Sequence, residues 1–307
     1  MVPQGTGRTG SCQPHCFNQV NLPRPSKLRT LLILGRVSNL PTVWADCLAG
    51  WWLAGGGSIP ALFRVSISVS FLYLGGMFLN DSFDAGFDRN HRPTRPIPSG
   101  AITEREVWVW GWAWTILGLA GLIGLGRGTA LLALCLSACI LFYNAIHKML
   151  AVAPVIMGGC RLLVYLLAGS TGFLGVTGEV VWKGIALAIY VMGLSWLARK
   201  ESAPVRIQYW PAILLAAPLL IAWLIDDGAE RHPAFIASVV LALWVAWTLW
   251  QTYGRAHPNV GRAVSRLLAG IALVDLLAVA DLSHFSSFLF LFWFGLALFL
   301  QEFIPAT

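Results

Sequence analysis

Long apolar segments separated by short polar ones make up the chain from residue 31 to its end. A helix that crosses a membrane needs about 20 mostly apolar residues, and ten segments approach this length. We predict spans at residues 31–56, 61–82, 105–126, 128–146, 151–174, 181–199, 209–225, 233–252, 262–281 and 284–303. Only a short stretch rich in Ser and His separates the last two, so the sequence predicts nine or ten transmembrane helices.

The composition agrees with a membrane protein. Of the 307 residues, 57% are apolar and only 11% are charged. The apolar runs are continuous instead of alternating, which argues against a transmembrane β-barrel. We therefore predict an all-α polytopic membrane bundle over residues 31–307. Residues 1–30 are polar and rich in Pro and Gly, and we expect them to form a disordered arm.

The positive charge is distributed as membrane topology requires. The formal net charge is +7, but the basic residues lie in loops between apolar spans, so we expect no nucleic-acid partner. Most of them fall in the N-terminal arm and in the loops after the second, fourth, sixth and eighth spans. Because loops rich in Lys and Arg stay in the cytoplasm, we expect these loops to be cytoplasmic. We expect a multi-pass protein of a bacterial cytoplasmic membrane.

The stretch with the most distinctive chemistry follows the second span and reads NDSFDAGFDRNHRPTRPIPSG. Asn80, Asp84 and Asp88 are spaced i, i+4 and i+8. If the helix continues through Asp88, these side chains share one face and Asp81 lies at its edge. A row of carboxylates repels itself unless a cation binds it.

A run of arginines follows this acidic row at Arg89, Arg92 and Arg95. Carboxylate and amide oxygens followed by guanidinium groups suit Mg²⁺ together with a phosphorylated substrate. The alternative interpretation is a solvated acidic helix end followed by a basic loop. The sequence therefore favours a magnesium and phosphate site at the end of the second span.

This stretch resembles the first signature of the UbiA superfamily of intramembrane prenyltransferases, which reads N-D-x-x-D-x-x-x-D and continues into arginines and an R-P-x-P-S-G-like turn. Two further segments are similar to parts of that family. RVSNLPTVWADCLAG, with Arg36 and Asn39, is similar to the opening helix. FYNAIHKM, with Tyr143 and Lys148, resembles the Tyr/Lys element after the fourth helix.

The resemblance implies a bundle of about nine helices around a central cavity that is capped on the cytoplasmic side. It also implies Mg²⁺-dependent transfer of a prenyl group from a prenyl diphosphate to a lipophilic or aromatic acceptor. Asp84 and Asp88 would be the leading Mg²⁺ ligands, assisted by Asn80 and Asp81. These are the candidate metal ligands.

The same resemblance implies roles for the basic and aromatic residues. Arg92, Arg95 and Lys148 would contact the diphosphate. Arg36, Asn39 and Asn80 would complete the substrate-binding set. Tyr143 would orient the acceptor or face the developing cation.

One expected part of the family pattern is absent. A second Asp-rich motif is expected near residues 193–205, where this chain reads GLSWLARKESAPV and Glu201 is the only acid. Arg199 and Lys200 would then replace one Mg²⁺ as counter-charges, since phosphate oxygens accept guanidinium and ammonium donors. Alternatively, the protein binds or transports a lipid or metabolite without prenyl transfer. The ending also resembles a divergent branch, the EboC-like proteins.

Charged residues inside the apolar spans need partners. Arg161 must be paired or must face a cavity, and we expect it to bind phosphate or acceptor. The alternative is a structural ion pair with Asp46 in the first span. For Asp275 we expect a structural hydrogen bond, and for His147 an ordinary interfacial position.

Small residues and prolines predict how the spans pack. Adjacent glycines occur at 75–76 and 158–159, and glycine lets helix backbones approach closely in membranes. Pro41 and Pro154 lie within the first and fifth spans, where we expect kinks.

Overall fold

The structure is a computed structural model that describes residues 26–199, 210–225, 231–253, 259–280 and 284–306. These residues fold into α-helices joined by turns. The helices are α1 (Lys27–Leu34), α2 (Leu40–Leu53), α3 (Ile59–His91), α4 (Glu104–Ile123), α5 (Arg127–Ile146), α6 (Ala153–Gly169), α7 (Gly178–Arg199), α8 (Trp210–Leu214), α9 (Ala217–Ile225), α10 (Arg231–Tyr253), α11 (Val260–Ala269), α12 (Ile271–Ala278) and α13 (His284–Phe303). The all-α prediction is confirmed. The helix α1 begins inside the predicted arm, and residues 1–25 lie outside the described part.

The described helices have the length and polarity of a membrane bundle. Five of them, α3, α4, α5, α7 and α10, are long and apolar enough to cross a membrane. Shorter apolar helices cover residues 153–169, 210–224 and 287–303. Every predicted span coincides with helical residues, although the first, seventh and ninth are each divided into two helices. The number of crossings remains a prediction.

The helix α3 is much longer than the span that the hydropathy predicts. It contains 33 residues, which at 1.5 Å per residue is about 50 Å, compared with about 30 Å for a hydrocarbon core. It continues past residue 82 because no proline occurs between that residue and Pro93. Proline disfavours helical backbone at the preceding residue, Arg92. The last turns of α3 therefore carry the acidic row beyond the apolar part of the bundle.

The predicted first span is broken between α1 and α2. Arg36 adopts the left-handed conformation, with φ 43° and ψ 49°, which is rare for a residue with a side chain. Its carbonyl accepts hydrogen bonds from the Asn39 amide, at 3.0 Å, and from the Tyr73 hydroxyl, at 3.3 Å. Pro41 and Pro154 lie in the first turns of α2 and α6. There their missing N–H groups cost no hydrogen bond, so the predicted kinks are wrong.

The helix α2 lies at the centre of the packing. It contacts α3 and α6 on one side and α12 and α13 on the other, while α3 packs along α4 and α6 packs along α7. One buried apolar cluster joins α2 to α6, α7 and the later helices, and a second joins it to α3, α5 and α6. Polar groups on α2 are therefore enclosed by helices from both halves of the chain.

Glycines allow the closest of these contacts. A Cβ at Gly158 would lie 2.5 Å from the Ala188 carbonyl oxygen on α7, and one at Gly76 would lie 2.8 Å from Ile140 on α5. Gly75 faces Gly111 and Thr115 on α4 in the same way. At Gly159, by contrast, a Cβ would meet no atom within 4 Å. Close packing is confirmed for the first three glycines and wrong for the last.

We predict that Gly158→Ala destabilises the bundle by about 1–3 kcal/mol, because the added methyl overpacks the contact between α6 and α7. Gly159→Ala is the matched control, and it should be neutral or should stabilise the helix by up to about 1 kcal/mol. Thermal unfolding in detergent would measure both variants. Equal losses of stability would show that this contact is looser than the structure describes.

Candidate functional site

In the last turns of α3, the acidic row of Asn80, Asp84 and Asp88 faces the interior of the bundle. Asn80 is 7% exposed, Asp84 6% and Asp88 2%, while Phe83, which lies off this face, is 44% exposed. Asp81, at 8% exposure, completes the buried row. The predicted shared face is confirmed because the helix continues through Asp88.

Asp84 faces the loop between α5 and α6, residues 147–152. Its Oδ1 lies 2.7 Å from Lys148 Nζ and 3.3 Å from His147 Nε2. The same ammonium group lies 4.0 Å from the centre of the Phe87 ring, and the His147 ring stacks on Tyr143 with centroids 5.2 Å apart. His147 therefore contacts the acidic row, and its interfacial position stays a prediction.

Asp81 and Asp88 share a different cation. Arg95 Nη1 lies 2.9 Å from Asp88 Oδ2 and 3.4 Å from Asp81 Oδ1. Arg36, whose backbone is left-handed, places Nη2 at 3.5 Å from the same Asp81 oxygen. Non-glycine residues held in such conformations often occur at functional sites. The structure thus brings Arg36 and Arg95, two predicted substrate-binding residues, to the acidic row.

Amide side chains flank the row. Asn80 Nδ2 donates to Asn144 Oδ1 at 3.3 Å, and Asn144 Nδ2 donates to the Gly76 carbonyl at 3.0 Å. Sequence reasoning did not single out Asn144, although it stands one helical turn before Lys148. Asn39 is buried, and its Nδ2 donates to the Ala306 carbonyl at 3.0 Å.

Arg199, the predicted counter-charge at the end of α7, binds backbone carbonyls in the structure. Arg199 Nη1 donates to the carbonyls of Leu150, at 2.9 Å, and Ala151, at 3.0 Å, while Nη2 donates to that of His147, at 3.3 Å. Its guanidinium therefore holds the 147–152 loop. Lys200 lies outside the described residues.

The remaining predicted basic residues lie in different environments. Arg92 ends α3, and its backbone N–H donates to the Asp88 carbonyl at 2.8 Å. Arg161 forms an ion pair with Asp46 and donates to Thr42 Oγ1 at 3.1 Å. The structure therefore supports the structural alternative for Arg161.

The row offers donors that suit Mg²⁺, which prefers oxygen ligands. Among the described residues, no group of three or more His, Cys, Asp or Glu side chains is arranged to hold a metal ion, because Asp84 and Asp88 face different cations. Asp88 Oδ1 is nevertheless buried without a hydrogen-bond partner in the described part of the chain. The residues present fit one Mg²⁺ at Asp88, with Asp84 one helical turn away.

If Arg199 acts only through the loop, its effect on substrate binding should depend on Lys148. We predict that Arg199→Ala weakens diphosphate binding several-fold and that the double variant Arg199→Ala/Lys148→Ala binds no worse than Lys148→Ala alone, because coupled residues are not additive. Arg127→Ala, at the exposed opposite end of α5, is the control. Fully additive losses would instead indicate that Arg199 contacts the diphosphate directly.

Sequence comparisons identify proteins that are similar to this chain. Residues 42–271 match the UbiA prenyltransferase family. The digeranylgeranylglyceryl phosphate synthase of Ignicoccus hospitalis is 35% identical over 250 residues, which cover 74% of this chain and 78% of that protein. The enzyme of the same name from Methanothrix thermoacetophila is 34% identical over 221 residues, covering 69% of this chain and 74% of that protein.

Solved structures share the fold. A UbiA homolog from Aeropyrum pernix K1 superposes with a TM-score of 0.62 at 19% identity, covering 82% of this chain and 99% of that one. A UbiA homolog from Archaeoglobus fulgidus bound to GPP and Mg²⁺ gives a TM-score of 0.60 at 14% identity, with the same coverage. These relatives are archaeal and do not support a bacterial origin. The fold and the family match over most of its length show that this chain is an integral membrane protein that belongs to the UbiA prenyltransferase family.

Proposed function

We propose that this chain transfers a prenyl group from a prenyl diphosphate to a lipophilic acceptor at the end of α3. The observation that carries the proposal is the convergence of cations on the buried acidic row. The cations are Arg36, Arg95 and Lys148, and the carboxylates are Asp81, Asp84 and Asp88. The GPP and Mg²⁺ bound to the Archaeoglobus fulgidus homolog support the same substrate class here.

The ion pairs are suited to exchange partners when substrate binds. Lys148 and Arg95 each neutralise a carboxylate in the structure. Asp84 and Asp88 would hold Mg²⁺, which supplies charge stabilisation to the departing diphosphate. Lys148 and Arg95 would then donate to phosphate oxygens, where charge-assisted hydrogen bonds are strong. Each cation thus keeps an anionic partner in both states.

The residues of the chain would also guide the chemical step. The bond between C1 of the prenyl chain and the diphosphate oxygen breaks, the electron pair leaves with the diphosphate, and the acceptor forms the new bond and loses a proton. Donors that are already in place stabilise the charge that develops on the leaving group. The Tyr143 ring, which stacks on His147, would face the carbon that becomes cationic.

The class of acceptor is a finer part of the proposal. The relatives named digeranylgeranylglyceryl phosphate synthase support a lipid acceptor of the glyceryl phosphate type over an aromatic one.

We also propose that the Asp-rich end faces the cytoplasm, because the loops rich in Lys and Arg lie at that end. Labelling of a Ser99→Cys variant on a cysteine-free background, with a thiol reagent that cannot cross membranes, tests this side. Labelling in intact cells would contradict it.

A transfer assay tests the proposed function. The purified protein is incubated with Mg²⁺, radiolabelled prenyl diphosphates of several lengths, and either a prenylated glyceryl phosphate or an aromatic acid. We expect Mg²⁺-dependent prenylation of the glyceryl phosphate. Binding of the diphosphate without Mg²⁺ and without product would instead favour a protein that binds or transports a lipid. That alternative is supported by the cation pairing of every carboxylate in the row.

A further inference from the structure

A second cluster of charges lies in the apolar interior and takes no part in the proposed reaction. Asp46 on α2 and Asp275 on α12 are both fully buried, at 0% exposure. Arg161 and Tyr165, both on α6, contact them. The cluster joins three helices that are far apart in sequence, within segments that the hydropathy assigns to the membrane.

Each carboxyl group has one satisfied oxygen and one unsatisfied oxygen. Arg161 pairs with Asp46 Oδ2, and the Tyr165 hydroxyl donates to Asp275 Oδ1 at 2.5 Å. Asp46 Oδ1 and Asp275 Oδ2 are buried, and neither has a hydrogen-bond partner in the described part of the chain. The two carboxyl groups are neighbours, because their partners Arg161 and Tyr165 lie one turn apart on the same face of α6 and α12 packs against α2. Two ionised carboxylates cannot satisfy each other's free oxygens, because neither has a proton to donate.

The charge balance leads to the same assignment. Two ionised carboxylates and one guanidinium would leave a net negative charge in the membrane interior, which is costly. The other titratable groups that face the cluster are Tyr165 on α6, Tyr73 on α3 and Cys47 on α2. They are neutral in their usual states, so among the described residues facing the pair only Arg161 supplies positive charge. One proton balances the cluster and satisfies both orphaned oxygens at once.

We propose that Asp275 is a protonated carboxylic acid whose Oδ2–H donates to Asp46 Oδ1, and that the pair forms a proton-binding site inside the membrane bundle. Asp46 is the ionised member because it pairs with Arg161, and Asp275 is the acid. The chain of contacts from Tyr165 through Asp275 and Asp46 to Arg161 is then neutral and fully hydrogen-bonded. It fastens α12 to α2 and α6, and it does not depend on prenyl transfer.

The same cluster reaches toward the α3 site. Arg161 Nη2 donates to Thr42 Oγ1 at 3.1 Å, and the Thr42 hydroxyl donates to the Asn39 carbonyl at 2.8 Å. Asn39 closes the turn whose first residue, Arg36, approaches Asp81. Loss of the proton would therefore disturb a helix that also positions a predicted substrate-binding residue.

Infrared spectroscopy and a pair of isosteric variants test the assignment. With the side-chain carboxyls of Asp labelled with ¹³C, the wild-type protein in detergent should show the carbonyl stretch of a buried protonated acid, and Asp275→Asn should remove it. An amide at 275 can still donate to Asp46 and accept from Tyr165. The unfolding midpoint of Asp275→Asn should therefore stay within about 3 °C of that of the wild-type protein.

Asp46→Asn is the matched variant, because it removes the ionised partner of Arg161. Its midpoint should fall by more than about 6 °C, since an unpaired buried charge is costly. Equal losses in the two variants, failure of Asp275→Asn to fold, or absence of the acid band from the wild type would each overturn the assignment.

Discussion

Replacing Asp88 with Asn should reduce prenyl transfer by about 10²–10³-fold, because a bound metal contributes several kcal/mol to the stabilisation of a departing phosphate and each 1.36 kcal/mol is a factor of ten. Asp88 is the carboxylate with a buried oxygen that has no partner among the described residues. The fold should survive, because Arg95 keeps its contact with Asp81 at 3.4 Å. Initial rates at saturating prenyl diphosphate and thermal unfolding measure the two effects separately.

Glu104→Gln is the control for this variant. Glu104, the first residue of α4, forms an exposed ion pair with Arg89, at 2.6 Å. Its loss should leave the transfer rate within a factor of two. An Asp88→Asn variant that turns over as fast as wild type would remove Asp88 from the set of metal ligands.

The second large effect concerns stability. Asp46→Leu should destabilise the bundle by about 3–5 kcal/mol, because it leaves the Arg161 guanidinium buried without its ion-pair partner. Asp46 is 0% exposed, and Arg161 also contacts Thr42. The double variant Asp46→Leu/Arg161→Met should recover much of that loss, since it removes both charges and fills the space with apolar atoms.

An exposed ion pair provides the comparison. Arg89→Ala breaks the pair with Glu104 and should cost about 0–1 kcal/mol, the usual range for surface pairs. Denaturant unfolding in mixed micelles would rank the three variants. A double variant as unstable as Asp46→Leu would show that the cost comes from packing at position 46 and not from the unpaired charge.

The sequence predicted the main parts of the fold because hydropathy and helix breakers act locally. The positions of the helical segments follow from apolar runs of about 20 residues. The shared face of Asn80, Asp84 and Asp88 follows from helical spacing and from the absence of proline in residues 61–92. These features depend only on neighbouring residues, so they can be read without knowing the packing.

The contacts that the sequence did not predict depend on how distant helices meet. The sequence offers the ion pair of Arg161 with Asp46 only as an alternative, because the two residues are 115 positions apart and the packing of α2 against α6 brings them together. The sequence predicts a phosphate contact for Arg199 from its charge, but it does not show the carbonyls of the 147–152 loop that Arg199 binds. The sequence does not predict the break at Arg36, because left-handed backbone at a non-glycine residue leaves no local signal.

The most direct test of the proposed site measures prenyl diphosphate binding and transfer in one preparation, with and without Mg²⁺, for wild type and Asp84→Ala. We predict Mg²⁺-dependent binding and product formation by the wild-type protein. We also predict that Asp84→Ala, which removes the partner of Lys148, loses both. Equal binding by the two proteins, with or without Mg²⁺, would contradict a diphosphate site at the end of α3.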